Sequence, residues 1–247
     1  LARSFAEAGA KIFVMATKYE TIENSMNAVS ELKGDALGMM GDPSDSAAIL
    51  EAKKSLLPLW DRIDILVNNA ALNPTMKEVG SKVVGKIEDY DMDQWNKEID
   101  VRITGTFICS RIFGTRMAAE GYGVIINISS DLAIRAPDQR VYSPTMSFDD
   151  IQSYKPLGYS IVKTSLIGMT RYLAEYWGHK NVRVNALLPG GVYNNQPQQL
   201  VDNVKKRTLL GRWANVNEYE DVIVFLASES SAYMTGQSIV MDGGRSV

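Results

Sequence analysis

The chain is short of the side chains that several kinds of chemistry require. It holds one cysteine, Cys109, in 247 residues, which excludes an internal disulfide framework and suits a reducing compartment. It holds one histidine, His179. A zinc site of the usual His/Cys kind is therefore disfavoured, and Ser-His or Cys-His nucleophilic catalysis would have to rest on that one ring. His179 stands in "WGHKN", an expected helix end, where a capping or cationic role is the better reading. An excess of one charge is missing too. A net charge of −3 gives no electrostatic case for nucleic acid or an anionic membrane as partner. No apolar run reaches the length of a membrane span and no secretory signal is visible, so a cytoplasmic protein is expected.

What is present is a globular composition, 45% hydrophobic and 22% charged, in an alternating pattern. Short apolar runs rich in β formers occur at 11–16 (KIFVMA), 36–40 (ALGMM), 63–70 (IDILVNNA), 123–130 (GVIINISS), 182–191 (VRVNALLPGG) and 238–244 (SIVMDGG). Between them, helical spacing is expected at about 20–33, 46–60, 91–119, 157–178 and 217–228, with an irregular loop over 131–156. Strands that are apolar throughout, each followed by a helix, predict an α/β fold with a doubly wound parallel sheet. No linker or repeat divides the chain, so one domain over 1–247 is expected. Residues 1–9, "LARSFAEAG", read as a helix already under way, which suggests a sequence beginning inside a longer protein.

In such folds ligands bind beyond the carboxyl ends of the strands. These ends are polar or small: Thr17 and Lys18, Asp42, Asn68 and Asn69, Ser129 and Ser130, Pro189 and Gly190. On the helix at 157–178, Tyr159 and Lys163 stand one turn apart, so an ammonium can favour the phenolate of its neighbour and make an acid/base. The spacing is weak evidence alone, because Tyr176 and Lys180 repeat it.

Taken together, "LVNNAA" (66–71), "INISS" (126–130), Tyr159-Ser-Ile-Val-Lys163, "VRVNALLPGG" (182–191) and the stretch 211–244 resemble the short-chain dehydrogenase/reductase (SDR) family from Leu1 to about Gly244. The resemblance implies a Rossmann-type fold and an NAD(P)-dependent interconversion of a secondary alcohol and a ketone. In the family's pattern Tyr159 exchanges the proton, Lys163 lowers its pKa and holds the nicotinamide ribose, and Ser130 orients the substrate oxygen. Asp42 is assigned to adenine, Asn68, Ala70 and Ala71 to the adenosine side, and Pro189, Gly190 and Val192 to the nicotinamide end. For Asn68 a purely structural role stays open, since amides at strand ends often pair with neighbouring backbone. The resemblance also places a first strand and a Gly-rich loop upstream of Leu1, between the strands at 11–16 and 63–70.

Two positions depart from the family pattern. Arg102, in "DVRITGTF", replaces the usual Asn of the proton relay, and Ala71 stands where Gly is commoner. Arg102 could fix a water or an anionic substrate group, slow turnover, or be a salt-bridged bystander. Thr17 and Lys18 replace the acidic residue that binds ribose hydroxyls in NAD enzymes, which favours NADP(H) over NAD(H). Ser130 and Tyr159 are separated by an insertion, 131–158, expected to form a pocket wall or lid. Its "APDQR…KP…YS" pattern resembles a bacterial branch of flagellin-glycan and surface-sugar biosynthesis, pointing to a sugar phosphate or nucleotide sugar. Segment 193–210 is expected to be a mobile substrate loop, with Lys205, Lys206 and Arg207 either receiving an anion or forming a solvated face. A homotetramer or homodimer is implied, with Phe107, Ile112, Met169 and Tyr172 serving either its interface or the core. A catalytically impaired nucleotide-binding member and a sugar epimerase remain alternatives.

Overall fold

The computed structural model describes residues 1–70, 85–151 and 153–247. Six strands alternate with helices: α1 (Ala2–Glu7), β1 (Ile12–Ala16), α2 (Tyr19–Ser30), β2 (Ala36–Met40), α3 (Ser46–Trp60), β3 (Ile65–Asn68), α4 (Met92–Ile99), α5 (Gly105–Glu120), β4 (Gly123–Ile128), α6 (Leu157–Gly178), β5 (Val182–Pro189), α7 (Gln198–Lys205), α8 (Glu220–Ala227) and β6 (Ser238–Met241). All described pairings are parallel. β1 pairs with β2, and β3, β4, β5 and β6 form a second sheet in that order. Among the described residues no strand of the first sheet pairs with one of the second.

Side-chain alternation along the strands explains why both faces are covered. Val124, Ile126, Ile128 and Leu187 pack against Phe5, Val29, Tyr219, Ile223 and Leu226 from α1, α2 and the α8 region. Ile125 and Val184 turn the other way, against Met117 of α5 and Leu173, Ala174 and Trp177 of α6. Successive residues on one strand thus feed opposite layers. Every residue of β4 is buried, which is why its sequence shows no polar alternation.

Helix boundaries follow local chemistry. The Asp45 and Asp91 side chains accept from the Ala47 and Asp93 amides and cap α3 and α4, each cap contributing about 1 kcal/mol. His179 is the C-cap of α6. Two segments differ from the sequence reading. The helix expected over 91–119 is interrupted by a π-helical turn at Asp100–Thr104, which periodicity does not reveal because the flanking apolar spacing is preserved. The segment 193–210 contains α7, whose Val201, Asn203 and Val204 are buried, so its middle is a docked helix rather than a loop.

Candidate active site

The end of β4 and the first turns of α6 hold each other. Ser129 Oγ donates to the Lys163 carbonyl at 2.7 Å, and Lys163 Nζ donates to the Ile128 carbonyl at 2.6 Å. A buried amide chain reinforces this clasp. Asn68 Nδ2 donates to Ser110 Oγ at 3.0 Å and to Asn127 Oδ1 at 2.9 Å, and Asn127 Nδ2 donates to Thr170 Oγ1 at 2.8 Å. β3, β4, α5 and α6 are thereby tied just below the strand ends. Asn68 spends its amide hydrogens inside the protein, so its structural reading fits and its side-chain nitrogen does not serve the adenosine side. Asn127, Ser110 and Thr170 were not legible as parts of this frame, because isolated polar residues on buried elements give no motif.

Above the frame, Ser130, Tyr159 and Lys163 come together. Ser130 Oγ accepts from the Leu132 amide at 3.2 Å and donates to Asp131 Oδ1 at 3.0 Å, and its hydroxyl acts on the Tyr159 phenol. Lys163 Nζ lies 6.0 Å from the centroid of the Tyr159 ring. Burial pushes the phenol above its ordinary range, opposed by the Ser130 hydrogen bond and the Arg102 guanidinium. Arg102 and Arg245 are the cations that oppose this rise within the protein. The Lys163 ammonium is itself pulled down to about 7, first by burial and then by Arg102 and Lys155. Desolvation disfavours the charged form, and neighbouring cations add to it.

Arg102 is delivered by the π turn, with its guanidinium carbon 5.1 Å from the Tyr159 ring centroid. It is buried and takes no salt bridge or hydrogen bond among the described residues. Gly105, the first residue of α5, sits against the backbone of Pro43 and Ser44, where a Cβ would lie 3.2 Å from the Pro43 carbonyl carbon. That close approach brings the end of β2 beside the π turn.

Residues not signalled by the sequence also converge here. Asp131 and Arg245, distant in the chain, form a buried ion pair of 3.2 Å. Lys155, from the insertion, places Nζ 3.7 Å from the Tyr159 ring centroid, and burial draws its ammonium down to about 8. The insertion is held by α7 and the turn after it: Asn203 Nδ2 donates to the Val141 and Ser143 carbonyls at 3.1 and 2.9 Å, and Arg207, just beyond α7, pairs with Asp138 at 2.8 Å. Lys205 pairs with Asp202 at 3.8 Å. Arg207 is thus engaged by the fold, and Lys205 belongs to a solvated helix face. Tyr176 of the repeated spacing is exposed and stacked on Tyr172, away from this cluster.

The remaining assigned residues follow the strand ends. Thr17 and Lys18 stand exposed just after β1, and Asp42 follows β2 with its Oδ1 accepting from the Ser44 amide and hydroxyl. Ala70 is exposed after β3, while Ala71 lies outside the described residues. Pro189 ends β5, the Gly190 amide donates to the Met241 carbonyl at 2.8 Å, and Val192 bridges to Ala214. The hydroxyl and ammonium beyond β1 and the Lys163 ammonium at the end of β4 are donors, and the carboxylate beyond β2 is an acceptor, a mixed set of the kind that phosphates and hydroxyls of a dinucleotide require. No group of His, Cys, Asp and Glu among the described residues could hold a metal ion, and no helix among them is long and apolar enough to cross a membrane.

Comparison with known proteins decides what this edge belongs to. A family profile described as enoyl-(acyl carrier protein) reductase matches residues 1–246. The chain belongs to the short-chain dehydrogenase/reductase family. It is 28% identical over 252 residues to D-threitol dehydrogenase of Mycolicibacterium smegmatis, covering 100% of this chain and 87% of that protein. A 3-oxoacyl-[acyl-carrier-protein] reductase of Thermotoga maritima is also 28% identical, with 97% and 89% covered. Among solved structures, the gluconate 5-dehydrogenase of Burkholderia cenocepacia in complex with NADP and tartrate superposes with a TM-score of 0.82 at 25% identity, covering 99% and 88% of the two chains. A 3-oxoacyl-[acyl-carrier protein] reductase of Brucella melitensis with bound NAD gives 0.80 at 26% identity, covering 100% and 85%. The SDR fold and an NAD(P)-dependent oxidoreductase activity are therefore established at the family level.

Proposed function

We propose that the protein interconverts a secondary alcohol and a ketone on a sugar-type substrate, with NADP(H) preferred over NAD(H). The observation carrying this reading is the convergence of Ser130, Tyr159 and Lys163 at the carboxyl edge, on a frame that fixes all three. Bound at that edge, the nicotinamide supplies or accepts the hydride. In the oxidation direction Tyr159 Oη, as the phenolate, takes the hydroxyl proton as the carbon–hydrogen bond breaks, and Ser130 Oγ holds the same oxygen. In reduction the phenol returns the proton to the developing alkoxide. Lys163, anchored by the Ile128 carbonyl, has N–H donors left for a ribose hydroxyl, and Lys155 and the insertion form one wall of the pocket.

The cofactor preference rests on Thr17 and Lys18 beyond β1, in place of the carboxylate that NAD enzymes carry at that strand end. Changing Lys18→Glu should lower NADPH affinity about tenfold or more while sparing NADH, since one ionic contact near the surface contributes about 1 kcal/mol or somewhat more. Fluorescence titration with both nucleotides measures this, and an unchanged ratio would remove Lys18 from the argument. Sugar-type substrates are supported by the threitol and gluconate relatives; a panel of polyols and sugar derivatives assayed with NADP+ tests that choice.

A second reading, a member that binds nucleotide with impaired turnover, draws on the crowding of Arg102 and Lys155 around Tyr159. Arg102→Asn separates the two: a large gain in turnover marks Arg102 as the impairment, a loss marks it as a working part. Assembly as a homodimer or homotetramer is part of the same proposal. Phe107 and Tyr172 are 47% and 69% exposed on α5 and α6 and are available to an interface, whereas Ile112 and Met169 pack into the core.

A further inference from the structure

Arg102 is 2% exposed, yet none of its three guanidinium nitrogens has a hydrogen-bond partner among the described residues. Arg183 shows what this fold does with a half-buried arginine it uses as a strut: its terminal nitrogens donate to the Leu226, Ser228 and Met234 carbonyls and to Ser231 Oγ. Glu98, whose charge acts on Arg102, is occupied elsewhere. It accepts from Tyr90 Oη and from Gln94 Nε2, each at 3.1 Å. The ring of Tyr159 offers Arg102 a cation–π contact but satisfies none of its N–H donors.

Two more cations flank the same ring. Lys155 Nζ is 3.7 Å and Lys163 Nζ 6.0 Å from its centroid. The backbone of Lys155 is pinned on both sides, its amide donating to Gln139 Oε1 at 2.8 Å and its carbonyl accepting from Gln139 Nε2 at 3.2 Å. The buried carboxylate on this side, Asp131, is taken by Arg245 and Ser130. Among the described residues positive charge therefore exceeds negative charge around the reacting phenol, and a planar fork of donors is left without acceptors. Unpaired buried charge is costly. A guanidinium fork matches the two oxygens of a carboxylate or phosphate.

We propose that Arg102 and Lys155 form an anion subsite that binds a carboxylate or phosphate of the substrate next to the carbon that reacts at Tyr159. The inference rests on the dehydrogenase reading above and narrows its substrate to an acidic polyol, either a sugar acid or a sugar phosphate. Arg102 is then a specificity-determining residue, occupying a position from which the family's usual Asn could not neutralise a charge.

The experiment is thermal denaturation of the full chain, with and without NADPH, in tartrate, inorganic phosphate, neutral threitol or sodium chloride at matched ionic strength. The melting temperature should rise with tartrate if the group is a carboxylate, or with phosphate if it is a phosphate, and not with threitol or chloride. The rise should vanish in R102Q and shrink in K155Q. In turnover, the ratio of kcat/KM for acidic over neutral polyols should fall roughly 100-fold in R102Q. Protection by neither anion, or equal protection of R102Q, overturns the subsite. Should R102Q not fold, K155Q decides: undiminished protection there overturns it. Anion protection that is lost in R102Q while no polyol is oxidised would uphold the subsite and refute the dehydrogenase reading. Turnover of neutral polyols alone would do the reverse.

Discussion

Tyr159 lies among cations that the surrounding protein makes reluctant to stay charged. Lys163 and Lys155 are drawn down to about 7 and about 8 from 10.5 by burial and by one another's neighbours. Folded, each binds its proton more weakly than in the unfolded chain. From about pH 7 to 10.5 the unfolded state therefore holds more protons, and stability rises with pH through that window. Below about 7 both states are protonated and the full cost of burying the charge is present. Each lysine contributes at most about 1.4 kcal/mol per pH unit. Denaturant unfolding of the nucleotide-free chain from pH 6 to 10 should show this rise, and Lys163→Met should flatten it. An unaltered slope in the variant would mean that Lys163 titrates normally. Tyr159, Lys163 and Ser130 were readable from the sequence through the family resemblance, since the Tyr–Lys spacing alone recurs at Tyr176 and Lys180. The Arg102 and Lys155 contacts were not, because both depend on where separate elements dock.

At the scale of elements, strands and most helices were legible because burial on both faces leaves apolar runs, and α6 spans the expected 157–178. The π turn and α7 were not. A π turn keeps helical spacing on either side, and α7 is short and amphipathic in a polar context, stabilised by the insertion it holds. Asn203 is the junction: buried, it satisfies two insertion carbonyls. Asn203→Ala should leave both without a donor and destabilise the protein by about 1–3 kcal/mol. It should also raise KM more than it lowers kcat, because the pocket wall loosens while Ser130, Tyr159 and Lys163 keep their frame. Chemical denaturation and steady-state kinetics on the same preparation test both parts; a kcat effect alone would place Asn203 elsewhere in the mechanism.

At the scale of the whole molecule, the polar strand ends of each sheet lie on one edge, since its strands are parallel. What the sequence did not reveal is how the far end of the chain closes that edge. Arg245, 9% exposed, reaches Asp131 beside Ser130, linking the segment after β6 to the active site. Removing one partner of such a pair leaves a buried charge alone, so Arg245→Met should cost about 3–5 kcal/mol. The double variant with Asp131→Asn should recover part of that loss, as read in a double-mutant cycle by thermal or urea unfolding. Strict additivity would show that the two charges do not sense each other.

The central claim is that Tyr159 Oη handles the substrate's proton. Its direct test is Tyr159→Phe in the intact protein, followed by NADP+ reduction in single-turnover and steady-state assays alongside nucleotide binding by fluorescence. Loss of the phenol should lower kcat about 100-fold or more, with nucleotide affinity within about threefold of the parent. Oxidation at an undiminished rate by a protein that still binds the nucleotide would contradict the account.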